Sequence, residues 1–96
     1  MAHSLKNPDT DELFRHMLKL KTIEDLYDFF EDIATIQEIH ELSLRFKVAK
    51  LLYEGATYAE VERQTRASAT TISRVSKSLN YGAGGYKKVL ESPEDH

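Results

Sequence analysis

Cysteine is absent from the 96 residues, which excludes a disulfide framework, a thiolate zinc site and a cysteine nucleophile. No apolar run approaches the roughly 20 residues of a membrane span, and no charged start runs into an apolar stretch as in a secretion signal. The expected setting is therefore the cytoplasm, with no membrane partner. Histidine is sparse, and His3, His16, His40 and His96 never stand three or four apart. That spacing disfavours a helical metal site. The carboxylates Glu24, Asp25, Asp28, Glu31 and Asp32 crowd one stretch without a Glu-x-x-His partner, and they read as a solvated acidic face. Serines and threonines have no base at triad-like positions. Neither an enzyme nor a cofactor is expected. Strand-like alternation is also missing, and the glycine run NYGAGGY lacks the flanking strand and the lysine-serine ending of a phosphate loop.

What the chain does have is helical periodicity punctuated by caps. Asp9, Thr10, Asp11 and Glu12 put caps and negative charge where a first helix begins, followed by Leu13, Phe14, Met17, Leu18 and Leu20 at helical spacing. Thr22 with Asp25 opens a second helix carrying Ile23, Leu26, Tyr27, Phe29, Phe30 and Ile33. Both helices are apolar over a wide arc, which requires neighbours on two sides. One small domain cannot supply both, so a second subunit is expected to do so. Thr35 with Glu38 precedes a third, longest helix with the stripe Ile36, Ile39, Leu42, Phe46, Ala49 and Leu52, ending at Gly55.

The stretch TYAEVERQTRASATTISRVSKSL, residues 57–79, organises the rest. Thr57 and Glu60 form a capping box, Ala67 suits a tight turn, and Ser68 can cap a second short helix with the stripe Ile72, Val75 and Leu79. Two short capped helices about a tight turn make a helix-turn-helix. At 100° per residue, Thr70, Arg74 and Lys77 face away from that stripe, with Ser73 to one side. Such groups suit double-stranded DNA: arginine pairs guanine edges, threonine methyls touch thymine and lysine neutralises phosphate. Net charge is −3, yet it is divided. Residues 1–56 carry −4, residues 57–90 carry +4 and the remainder −3. A basic lobe on an acidic body is the electrostatic footprint of a DNA reader whose other half does different work.

The helix order, the ISRV at residues 72–75 and the LNYGAGGY at residues 79–86 resemble the Trp repressor superfamily, in its YerC/YecD-type branch. The resemblance spans about residues 26–90. It implies an all-α, intertwined helical homodimer with a C-terminal helix-turn-helix, binding operator DNA through paired half-sites about 34 Å apart. It also implies a transcriptional regulator, most simply a repressor, with Ala69, Thr70 and Ser73 at base edges and Tyr58 and Glu62 nearer the DNA backbone. The division it suggests is a flexible arm (1–8), a helical dimerisation region (9–56), the helix-turn-helix (57–80) and a glycine hinge with a tail (81–96).

Two departures matter. Arg66 stands at a turn position often filled by glycine. A left-handed arginine there costs about 1 kcal/mol, so either the turn differs or Arg66 repays the strain by touching phosphate. In the tryptophan pocket of the repressors, Arg74 and Ser78 are present, but Leu44 replaces the second arginine and Val75 a glycine. The neighbouring Arg45 is turned about 100° around its helix. L-tryptophan is disfavoured as an effector, and no other effector is identified. The full DNA-binding set is Arg66, Ser68, Ala69, Thr70, Ser73, Arg74 and Lys77, with Lys87 and Lys88 adding affinity. The alternative is a dimeric interaction or scaffold protein that has lost operator binding.

Overall fold

A computed structural model describes residues 5–91; the ends of the expected arm and tail, residues 1–4 and 92–96, lie outside the described residues. Six helices and no strand occur among the described residues: α1 (Pro8–Met17), α2 (Ile23–Ile33), α3 (Ile36–Tyr53), α4 (Tyr58–Thr65), α5 (Ala69–Tyr81) and α6 (Gly85–Glu91). The fold is all-α. The chain divides into two units, residues 1–36 and 37–96.

In the first unit, α1 starts one residue before the acidic cluster suggests. The Asn7 side chain accepts a hydrogen bond from the Thr10 amide at 2.8 Å, and Pro8 occupies the first turn, where its missing N–H is not needed. Asp9 and Asp11 fall inside the first turn, where they favour the helix dipole. Thr22 caps α2 by accepting from the Asp25 amide at 3.0 Å. Neither helix buries a residue fully. Leu18 is 82% exposed and Ile23 72%. The Phe29 and Phe30 rings meet edge to face at 5.6 Å.

The core sits in the second unit, where Val48, Ala49, Val61, Ala67, Ile72 and Val75 pack together. The sequence stripe on α3 is only half right. Ala49 is buried and Leu52 partly so, but Ile36, Leu42 and Phe46 are exposed. Val48, which that stripe omits, is fully buried, and Leu44 and Leu51 flank it. The cause is that α3 is apolar on several faces, so periodicity alone does not choose the buried one. Its end is a Schellman arrangement: Gly55 takes φ +98, its amide donates to the Leu52 carbonyl, and the Ala56 amide donates to Leu51.

Between α5 and α6, Gly82 and Gly84 have different tasks. Gly84 adopts φ +88, whereas a Cβ on Gly82 would collide with the Ser78 carbonyl that accepts the Gly82 amide. Gly82→Ala is therefore expected to lower stability by about 1–3 kcal/mol. Gly85→Ala, which meets open space, should be neutral or slightly stabilising. Paired urea midpoints check both, and equal midpoints for the two variants would contradict the collision.

Candidate nucleic-acid interface

Local bonds define the α4–α5 pair. Thr57 Oγ1 accepts from the Glu60 amide at 3.1 Å, while Glu60 Oε1 accepts from the Thr57 amide at 3.3 Å and from its hydroxyl at 3.0 Å. These bonds stabilise the carboxylate and hold it below the usual glutamate pKa, side-chain bond first and backbone bond second, with Arg63 adding a smaller attraction. A depressed carboxylate contributes stability above its unfolded pKa and loses it as pH falls through the folded value. Glu60→Gln should thus melt below the parent at neutral pH, with the gap closing on acidification. A gap unchanged by pH would contradict the assignment.

At the turn, Thr65 Oγ1 donates to the Val61 carbonyl at 2.7 Å and accepts from the Ala67 amide at 3.1 Å. Arg66 takes φ 61 and ψ 16, and its amide donates to the Glu62 carbonyl at 2.8 Å. Of the two options the sequence left for this position, the turn keeps its left-handed residue and the arginine bears the strain. Ala67 is buried, so the two helices close on a methyl group. Ser68 Oγ then accepts from the Thr71 amide at 3.1 Å and starts α5.

Helix α5 has two distinct sides. Ile72, Val75 and Leu79 are buried. Ser68, Ala69, Thr70, Ser73, Arg74 and Lys77 are all exposed, as is Arg66 in the turn. Lys87 and Lys88 are exposed on α6. One residue on this side escaped the sequence reading. Tyr81 is 86% exposed, and at seven and four residues beyond Arg74 and Lys77 it continues their line. The spacing was visible, but the following glycines suggested that the helix had already ended.

Beneath the outer face, Arg45, Thr71, Arg74, Val75, Ser78 and Tyr86 line a cavity of about 210 Å³. Arg45 is thus brought to the same cavity as Arg74, contrary to the helical-rotation expectation. Leu44 instead packs against the hydrophobic core, and Val75 is buried. Among the described residues no group of histidines and carboxylates could hold a metal ion, and no helix is long and apolar enough to cross a membrane.

An all-helical chain with a capped pair of short helices, the second buried on one side and cationic on the other, has the build of a helical regulator. The family model for the Trp repressor protein matches residues 9–94, and the chain belongs to the Trp repressor family. It is 46% identical over 87 residues to the protein YerC of Bacillus subtilis (strain 168), covering 91% of this chain and 84% of that relative. The crystal structure of a TrpR-like protein from Eubacterium eligens ATCC 27750 is similar with a TM-score of 0.86 and 52% identity, over 91% of this chain and 90% of that one. A candidate Trp repressor from Staphylococcus aureus matches with the same TM-score and 44% identity, over 91% and 87%.

Proposed function

We propose that this protein is a sequence-specific DNA-binding transcriptional regulator of the repressor type, acting in the cytoplasm as a homodimer on paired half-sites. The observation that carries the proposal is the exposed line Thr70, Arg74 and Lys77, set opposite the buried Ile72, Val75 and Leu79 on one capped helix. Membership of a regulator family supports it. Affinity comes from Arg74 and from Lys77, Lys87 and Lys88, the lysines at phosphates. Specificity comes from Ala69, Thr70 and Ser73, with Arg74 reading a guanine edge and Ser68 fixing the start of the reading helix.

The dimer follows from uncovered apolar surface. Nothing in α1 or α2 is fully buried, and Leu42 and Phe46 on α3 are exposed as well. Large apolar side chains left exposed in such number are normally covered by a partner surface. L-tryptophan is not the effector in this proposal, because Val75, which lines the cavity, puts two methyl groups where the repressor pocket takes a glycine.

Selection from random oligonucleotides, together with light scattering, tests the proposal. The expected results are an enriched near-palindrome and a particle of twice 11.0 kDa. A dimer that enriches no sequence would favour the interaction or scaffold alternative. A monomer would remove the paired half-sites.

A further inference from the structure

Arg66 is the one non-glycine residue with positive φ among the described residues. Its backbone is held on both sides, by the bond from its own amide to Glu62 and by the Ala67 amide bonded to Thr65 Oγ1. No polar contact of the side chain offsets this conformation. The side chain is exposed, and it makes no hydrogen bond or ion pair with a described residue. Glycine or asparagine would hold the same turn with less strain. What arginine adds at this point is a permanently charged, five-donor group on a fixed base, two residues before the cap of α5. A non-glycine residue held in the left-handed region at a solvent-facing turn is a reason to look for a role in its side chain.

We propose that Arg66 is a phosphate-binding residue that clamps the nucleic-acid backbone beside the entering end of α5, in exchange for lower stability of the turn. This rests on the DNA-binding reading above. The acceptor is a backbone phosphate rather than a base, because the residue precedes the helix instead of lying along its outer face. The contact therefore adds affinity to every sequence alike and sets the depth and register of the reading helix.

The turn and the binding surface then respond in opposite directions to the same change. Arg66→Asn suits the left-handed conformation, since asparagine is among the residues that tolerate it, and removes the charge. Its melting temperature should rise by roughly 4–8 °C, the shift expected of about one left-handed residue relieved in a domain of this size. Its affinity for a mixed-sequence duplex long enough for both half-sites should fall about eightfold per subunit at 0.1 M salt. The salt slope should shrink by about one per subunit, the counterion release of a single phosphate. Arg66→Lys keeps the charge and should retain most of the affinity and the slope.

The experiment is a salt titration of that duplex against the full chain and three variants, Arg66→Asn, Arg66→Lys and Arg74→Ala, with thermal melts of each. If Arg66→Asn leaves affinity and slope unchanged while Arg74→Ala weakens binding, the clamp is wrong and the DNA reading stands. If the parent retains no duplex at any salt, both fall together. An Arg66→Lys variant as weak as Arg66→Asn would reassign the arginine to a base edge, and an Arg66→Asn protein that melts lower would remove the strain premise.

Discussion

Ile72→Ala is expected to unfold the second unit or leave it without fixed packing. Ile72 is 1% exposed and belongs to the same buried cluster as Val48 and Val61, both at 0%. Removing three carbons from such a site forfeits their transfer free energy and leaves a cavity that rigid helices close only in part. The loss is about 2–5 kcal/mol. Small domains hold only about 5–15 kcal/mol in total, and one with so few fully buried side chains belongs at the low end. Thr70→Ala on the same helix, exposed and without a core contact, should change stability by less than about 0.5 kcal/mol. Circular dichroism melts and urea midpoints of the two variants give the comparison. A loss below about 1 kcal/mol at Ile72 would mean that α5 does not pack through this side.

Arg74→Ala is expected to produce the largest functional loss with the fold intact. Its side chain is exposed, so the melt should barely move, while the outer face of α5 loses its bidentate donor. A base-reading arginine is worth about 1–3 kcal/mol, and discrimination should relax at one base position. Lys77→Ala, one turn further along, should weaken all sequences to a similar degree and lower the salt slope by about one per subunit. Because Arg74 also borders the cavity shared with Arg45, Arg45→Ala serves as the matched control. It alters the cavity but not the outer face of α5, and it should leave base discrimination unchanged. Retardation of the selected duplex at several salt concentrations measures all three. Equal behaviour of Arg74→Ala and the parent would sink the assignment of α5 as the reading helix.

The exposed apolar residues of α1 and α2 connect the two halves of the proposal. Surface of this extent on a monomer invites non-specific association, yet here it lies on the acidic half of the chain, away in sequence from the cationic α5. Two readers held at a fixed separation gain far more affinity than either alone, since the second binding step is effectively intramolecular. Dimerisation would thus turn a small basic lobe into a specific one.

Several elements could be read from residue order alone, and for a common reason. The Thr57–Glu60 box, the Ser68 cap, the stop at Gly55 and the Ile72–Val75–Leu79 stripe depend on bonds or spacings within a few residues of one another. Local chemistry of that range is written in the chain. The outward set on α5 was legible for the same cause, because one buried stripe fixes the opposite face. The placement of Val48 at the centre of the core was not, since α3 offers apolar side chains on several faces and only contact with α4 and α5 selects among them. Arg45 at the cavity was equally hidden, because the reach of a long side chain is decided by what surrounds it. Tyr81 was lost to a helix that outlasts its apparent stop, and Asn7 to an acidic cluster that marks the first turn rather than the cap. What the sequence by itself determined is where each helix of the basic lobe begins and which of its faces is wet. Only the tertiary structure decided which side of α3 is covered and which arginines share a cavity, because those outcomes depend on neighbours that no local spacing encodes.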